Sequence, residues 1–263
     1  MLKKLLKYEI KATARFFLPL YAALLVFSLI NRFLNPFGLI ASSSNLNLQV
    51  IISMLSIAAY FTLMIGTLAM TIIIMIQRFY KNLLGDEGYL MFTLPVKTWQ
   101  HIISKLLVAM MWTILSFLVV IGSILITASI EGLMDKLSEL VKIFKNYFGT
   151  AGFFVISVYA ILAVAFYIVM VYAAITLGHL FEKHKLAASF GMFCVLYFFY
   201  QIVSALFILL FSRTIFSFLI AARVPTPQEI NMFLLTFALL SAVLTTVNFT
   251  LTNTILQKRL NLE

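Results

Sequence analysis

This chain of 263 residues has few charged groups for its length. Only 11% of the residues are Asp, Glu, Lys or Arg, whereas 63% are hydrophobic, and the mean hydropathy is +1.08. A soluble domain of this size cannot hide so many apolar side chains in its core. The composition therefore excludes an ordinary soluble protein and predicts an integral membrane protein.

Several kinds of functional site are also missing from the sequence. The single cysteine, Cys194, excludes an intramolecular disulfide and a cysteine-based metal cluster, and its apolar neighbours favour a packing role. The three histidines are not spaced as metal ligands. No G-x-x-x-x-G-K motif followed by Ser or Thr is present to bind nucleotide phosphates. We therefore expect no catalytic residue, no metal and no cofactor in this chain, which is not itself an enzyme.

Ionisable side chains are absent from the middle of every long apolar run. No Asp, Glu, Lys or His lies deep in any of them. Ion-coupled carriers and intramembrane proteases normally need such groups near the centre of the membrane. The sequence therefore disfavours both secondary transport and hydrolysis within the membrane.

Six apolar runs are long enough to cross a membrane. They cover residues 16–33, 49–77, 106–130, 151–178, 186–211 and 230–256. The second run would be roughly 43 Å long as a helix, longer than a hydrocarbon core of about 30 Å, so it must tilt or project. We predict an all-α polytopic membrane protein with six transmembrane helices, forming one transmembrane domain over residues 1–263.

Two further stretches have the pattern of surface helices. In residues 1–15 leucines recur at helical spacing opposite lysines, which indicates an N-terminal amphipathic helix at the membrane interface, retained rather than cleaved. Residues 131–149 have a similar pattern on the far side of the membrane. A gate or receptor site is one interpretation of this second helix, and a solvated lid is the favoured one.

Lysine and arginine are distributed unevenly between the two sides of the membrane. Of the 19, 13 lie on the side that holds both termini, residues 78–105 and residues 179–185. Basic residues are enriched on the cytoplasmic side, so we expect cytoplasmic termini in a multi-pass protein of the cytoplasmic membrane. The net charge of +10 is spread between apolar runs, which favours anionic lipid over nucleic acid as its partner.

The longest charged segment between two apolar runs covers residues 78–105. Gly85 and Gly88 flank an acidic pair, and Pro95 follows a short apolar run. This pattern predicts a helix that ends near Gly85, a short helix over residues 88–94, and a new helix with Thr98 as its N-cap. The segment therefore presents a short amphipathic helix at the cytoplasmic surface.

The same segment resembles a loop in the permease subunits of ATP-binding-cassette (ABC) exporters of the type-two class, in their Gram-positive form. The matching residues are Phe79-Tyr80-Lys81, Asp86-Glu87-Gly88-Tyr89-Leu90, Phe92-Thr93-Leu94-Pro95-Val96 and Ser104-Lys105-Leu106. In that family this loop joins the second and third spans and forms the coupling helix that docks into the ATPase subunit. The resemblance thus implies an ATPase-coupling role for Asp86, Glu87, Gly88, Tyr89, Leu90, Phe92, Leu94 and Pro95.

The family resemblance also implies a function and partners. The chain would be a permease that moves an amphipathic compound, peptide, drug or lipid outward, with ATP and Mg²⁺ bound by separate ATPase subunits. It would pair with a second copy of itself or with a related permease. A membrane scaffold or accessory subunit without transport activity stays open as the alternative. A vitamin-type substrate-binding subunit is a third interpretation, but it needs an outward-open ligand pocket and a small-residue docking face that the sequence does not reveal.

The second and fifth spans contain small and polar residues that are candidates for a transport pathway or a dimer interface. These residues are Ser53, Ser56, Thr62, Gly66, Thr67, Thr71, Ser189, Gly191, Gln201 and Ser204. The resemblance agrees, since family members place the pathway at the interface of two permeases. Ordinary packing within one bundle is the alternative, and for lone amides such as Gln201 and Asn248 an interhelical hydrogen bond is the more common role.

The predicted topology can be tested by cysteine labelling in whole cells, after Cys194 has been removed. Single cysteines on the predicted outer side should react with an impermeant thiol reagent, whereas cysteines at Thr98 and Lys183 should react only after the cells are opened. The outer positions are Ser43, Ser138 and Thr226. Labelling at Thr98 from outside the cell would reverse the orientation.

Overall fold

The computed structural model describes residues 2–34, 47–85, 88, 91, 93, 96–127, 133–181, 183–211 and 225–258. The helices in this part of the chain are α1 (Leu2–Leu34), α2 (Leu48–Leu83), α3 (Thr98–Thr127), α4 (Leu133–Phe148), α5 (Gly152–Gly178), α6 (Lys185–Leu210) and α7 (Pro227–Lys258). All except α4 are long and apolar enough to span a membrane. The predicted all-α fold with six candidate spans is confirmed, and the side that each terminus faces stays a prediction.

Helix α1 is one continuous helix where the sequence predicted an interfacial helix followed by a span. Its buried positions recur every three or four residues from Glu9 to Asn31, so a single stripe packs along the whole helix. Pro19 lies in the helix interior rather than in a first turn. It removes one backbone hydrogen bond, but the buried stripe continues on both sides of it and keeps the two halves in line.

Two helices extend past the predicted spans towards the loop that joins them. Helix α2 continues beyond residue 77 to Leu83, and α3 begins at Thr98, ahead of the span that starts at residue 106. These limits agree with the predicted helix end near Gly85 and the predicted helix start near Thr98. Thr98, predicted as the N-cap, is the first helical residue, so the N-cap position falls one residue earlier, on Lys97. Helix α7 also begins before residue 230, because Thr226 and Glu229 form a reciprocal capping box around Pro227.

The chain, predicted to be one transmembrane domain, divides into two compact units. Unit 1 comprises Met1–Arg78 and Ile103–Ser138, and unit 2 comprises Phe79–Ile102 and Glu139–Glu263. Unit 1 therefore contains α1, most of α2 and most of α3. Unit 2 contains α5, α6, α7 and most of α4.

The core of unit 1 is a group of aromatic side chains from α1 and α3. The rings of Phe17 and Trp112 stack with centroids 4.4 Å apart, and Tyr21 packs beside both. The Trp112 indole N–H donates a 2.8 Å hydrogen bond to the Thr13 hydroxyl. The buried indole thus packs its apolar surface against other rings, and its only hydrogen-bond donor has an acceptor.

Hydroxyl groups join the three helices of unit 1 at two further levels. Tyr21 and Thr71 each lie 2.7 Å from the Ser116 hydroxyl, and these three come from α1, α2 and α3. Further along, Tyr60 lies 2.9 Å from the Ser123 hydroxyl, and Ser28 donates to the Ser123 carbonyl. In lipid, where apolar surface does not drive helix association, such hydrogen bonds specify how helices pair.

Unit 2 is built around α5, which packs against α6 and α7. At one end of α5, a Cβ atom at Gly178 would lie 2.2–2.4 Å from atoms of Ser189 on α6. At its other end, the Phe153 ring packs on Phe144 of α4 at 4.2 Å, and the Asn231 amide of α7 donates to the Phe148 carbonyl at 2.8 Å. Helix α4 therefore ends against the first turns of α5 and α7.

Because Gly178 allows α5 and α6 to approach closely, Gly178→Ala should separate the two helices and destabilise the protein by about 1–3 kcal/mol or more. The measurement is the thermal midpoint of the purified protein in detergent, read by size-exclusion chromatography after heating. Gly191→Ala is the matched control, since a Cβ at that position would meet open space beyond the local backbone of its own helix. Equal midpoints for the two variants would contradict the close contact.

Candidate functional site

The candidate functional site is the segment of residues 78–105 together with the residues that anchor it. Of the residues assigned to ATPase coupling, Gly88 is described: it is helical and buried, and its N–H donates to the Gly85 carbonyl at 2.8 Å. Met91 and Thr93 are also helical. Outside the described residues lie Asp86, Glu87, Tyr89, Leu90, Phe92, Leu94 and Pro95. The short coupling helix stays a prediction.

In unit 1, basic residues from both ends of this segment converge on Glu9 of α1. The Lys105 ammonium donates to Glu9 Oε1 at 2.7 Å, and Arg78 Nε lies 3.8 Å from Glu9 Oε2. The Glu9 and Lys105 side chains are 9% and 3% exposed, whereas Arg78 is 27% exposed. Glu9 therefore pairs with Arg78 of α2 and with Lys105 in the second turn of α3. These three residues are called the Glu9 cluster below.

Because Glu9 and Lys105 are buried, their charged groups must lie close together and be well directed. A buried carboxylate or ammonium loses several kcal/mol of hydration, and only a close, well-directed partner compensates for that loss. Thr13, one turn after Glu9, receives the Trp112 indole hydrogen bond, so polar contacts continue directly into the aromatic core. The Glu9 cluster therefore specifies the register of α1 against α2 and α3 at the end where the loop begins.

Glu9 was not predicted to be a functional residue, because residues 1–15 have the pattern of a helix lying on the membrane. On that helical wheel the lysines defined the polar face and the leucines the apolar one. A signal was nevertheless present: Glu9 is the only acidic residue among the first 85. A lone acid within a basic segment indicates a specific ion-pair partner, and here that partner is far away in sequence, at Lys105.

In unit 2, the first residues of the segment pack on the end of α5. The rings of Phe79 and Tyr172 stack with centroids 3.9 Å apart, and both residues are buried. The edge of Tyr80 meets the His179 ring at 5.1 Å. Burial lowers the pKa of His179, despite its hydrogen bond to the Ile175 carbonyl, and nearby Lys185 lowers the pKa further. The lowered pKa favours the neutral form of His179, and the ring serves as an aromatic contact for Tyr80.

The pathway candidates on α2 lie on more than one side of the helix. Ser53, Thr67 and Thr71 are buried, and Thr71 bonds within unit 1 to Ser116. Ser56 donates to the Asn31 side chain of α1 at 2.8 Å. In contrast, the Thr62 side chain is exposed and a Cβ at Gly66 would meet open space.

The pathway candidates on α6 are likewise divided. Gln201 and Ser204 line a pocket in unit 2, whereas Ser189 is buried against α5 and Gly191 is exposed. Asn248 forms an interhelical hydrogen bond, since its Oδ1 accepts a hydrogen bond from the Tyr200 hydroxyl at 2.6 Å. Whether any of the candidates on α2 or α6 lines a transport pathway or a dimer interface stays a prediction.

The chain matches no family model, no curated protein and no solved structure. The likeness to ABC permeases therefore rests on the motif residues of the loop. The Glu9 cluster and the contacts of Phe79 and Tyr80 are what the structure adds at that loop.

Glu9→Ala should lower the free energy of unfolding by about 3–5 kcal/mol, because it removes the carboxylate that pairs with the buried Lys105 ammonium at 2.7 Å. The double variant Glu9→Leu with Lys105→Met should recover most of this loss. Reversible unfolding by SDS in mixed micelles gives the measurement. The control is Lys11→Ala at an exposed position of α1, which should change stability by no more than about 0.5 kcal/mol. If Glu9→Ala is as stable as this control, the buried pair does not hold the helices together.

Proposed function

We propose that this protein is the membrane-spanning permease subunit of an ABC exporter of the type-two class. The single observation that carries the proposal is the convergence of Arg78 and Lys105 on Glu9. A loop that receives force from a partner must be firmly attached at both ends to the helices that move. The Glu9 cluster provides such an attachment for the loop whose residues resemble the coupling segment.

The helices on either side of the loop are suited to act as levers. Helix α2 has 36 residues and α3 has 30, and neither contains proline. At 1.5 Å per residue α2 is roughly 54 Å long, well beyond a hydrocarbon core of about 30 Å. Movement of the short helix around residues 88–94 would therefore rotate α2 and α3 as rigid bodies.

The other subunits of the transporter would be separate chains. Separate ATPase subunits would bind ATP and Mg²⁺, and would dock on the loop from the cytoplasmic side of the cytoplasmic membrane. A second copy of this chain, or a related permease, would complete the transporter. The cargo would be an amphipathic compound, peptide, drug or lipid that moves outward from the cytoplasm or the inner leaflet.

Purification of the tagged chain in mild detergent, with identification of the proteins that accompany it, tests the proposal. We expect a nucleotide-binding protein at about one copy per permease. Its reproducible absence would favour a membrane scaffold or accessory subunit without transport activity.

Glu87→Lys, or Tyr89→Ala combined with Phe92→Ala, should weaken ATPase association by at least about tenfold, because each removes a charge or aromatic anchors from a small docking surface. Insertion into the membrane and pairing of permeases should be unchanged. Pull-down of the ATPase by the tagged permease gives the measurement.

Matched controls on α4 are Glu139→Lys and Tyr147→Ala, both at exposed positions away from the loop. These variants should retain the ATPase. If the loop variants retain it as well, and keep substrate-stimulated hydrolysis, the coupling role of the loop is wrong.

A further inference from the structure

Unit 2 contains a pocket of about 200 Å³ lined by α5, α6 and α7. Its lining residues come from the middle of each helix: residues 159–170 of α5, 197–204 of α6 and 237–244 of α7. In a membrane-spanning arrangement these residues lie near the centre of the hydrocarbon layer. None of the described residues that line the pocket carries a charge.

The walls of the pocket are mainly aromatic. The aromatic lining residues are Tyr159, Phe166, Tyr167, Tyr197, Tyr200 and Phe237. Phe166 and Tyr200 meet edge to face at 5.2 Å, which fixes the inner wall. Tyr167 and Tyr197 are 54% and 41% exposed, so they lie at the mouth, which opens on the surface of unit 2.

The hydrogen bonds of the lining residues determine which polar groups remain for a ligand. The Tyr200 hydroxyl donates to Asn248, and the Ser204 and Ser241 hydroxyls donate to carbonyl groups one turn earlier on their own helices. These three hydroxyls therefore offer only lone pairs to the pocket. The Tyr197 hydroxyl oxygen already accepts a hydrogen bond from the Gln201 amide at 3.1 Å.

Aromatic faces and oxygen lone pairs are both regions of negative electrostatic potential. They attract a cation, and aromatic cages of this kind recognise quaternary ammonium groups. A primary ammonium would lose its strong hydration in the membrane and would need a carboxylate in return. A quaternary ammonium is weakly hydrated, so neutral aromatic and oxygen surfaces suffice.

We propose that this pocket binds the quaternary ammonium group of an amphiphile that enters from the side, between Tyr167 and Tyr197. The group belongs either to a free organic cation or to the choline headgroup of a lipid, since both present the same chemistry. The binding site stands on the geometry of unit 2 alone. That the bound cation is the exported compound rests on the function proposed above.

The probe for this site is radiolabelled phenyltrimethylammonium, and the measurement is equilibrium dialysis against the full-length chain in nanodiscs of phosphatidylglycerol. We expect saturable binding that excess unlabelled probe displaces. An equal excess of tert-butylbenzene, which has the same shape without the charge, should not displace it. Absence of saturable binding, or equal displacement by tert-butylbenzene, would overturn the proposal.

Substitutions at Tyr167 and Tyr197 test whether binding depends on the aromatic rings themselves or only on the presence of a large apolar side chain. Tyr167→Leu and Tyr197→Leu should each weaken binding about threefold to thirtyfold, whereas Tyr167→Phe keeps the ring and should stay within about twofold of the parent. The matched control is Tyr147→Leu, which removes an exposed tyrosine of α4 outside the pocket. Unchanged affinity in both pocket leucine variants would overturn the assignment of the site.

Changing the lipid composition of the nanodiscs distinguishes a choline lipid headgroup from a free organic cation as the natural ligand. Competition by phosphatidylcholine added to the nanodiscs supports a lipid headgroup as the ligand, whereas unchanged probe affinity supports a free cation. The assay needs no ATPase. Binding by a chain that never associates with an ATPase would therefore support the pocket while contradicting the exporter.

Discussion

The buried ion pair between Glu9 and Lys105 is the contact on which the arrangement of unit 1 depends. Apolar helices in lipid gain little from choosing one register over another, because lipid tails are as apolar as their side chains. A buried carboxylate removes this freedom, since its ammonium partner must lie within hydrogen-bond distance, here 2.7 Å. The hydroxyl contacts around Ser116 and Ser123 then extend the same register along the three helices.

Unit 2 is held together in a different way. It relies on the close approach at Gly178 and on aromatic pairs such as Phe79 with Tyr172 and Phe166 with Tyr200. These contacts bury area and fix ring orientation without any charge. The packing of α5, α6 and α7 also leaves a pocket lined by rings and hydroxyls, which opens on the surface of unit 2.

Helix α5 carries both the pocket wall and the anchor of the loop. Met170 lines the pocket, and Tyr172, two residues later, stacks on Phe79 at the beginning of the loop. His179, at the end of the same helix, contacts Tyr80. Within unit 2, a displacement of the loop would therefore reach the pocket along one rigid helix. The proposed coupling of a partner's movement to a bound ligand requires a connection of this kind.

The sequence alone was sufficient to predict the class of fold and the number of helices able to span a membrane. These properties depend on composition and on the length of each apolar run, which are local. The capping pattern of residues 226–229 could also be recognised from sequence, although the predicted span began at residue 230. The continuity of α1 was not predictable in this way, because packing along one stripe outweighs the local effect of Pro19.

Only the tertiary structure decided which polar residues meet. Glu9 and Lys105 are 96 positions apart, and Tyr200 and Asn248 are 48 apart. Nothing in a single helix shows which side chain of another helix it will face, because that depends on the rotation and register of both. For the same reason the small and polar residues of α2 formed one set in the sequence but occupy buried and exposed faces in the structure. The aromatic pocket, assembled from three helices, follows from their packing and not from any motif.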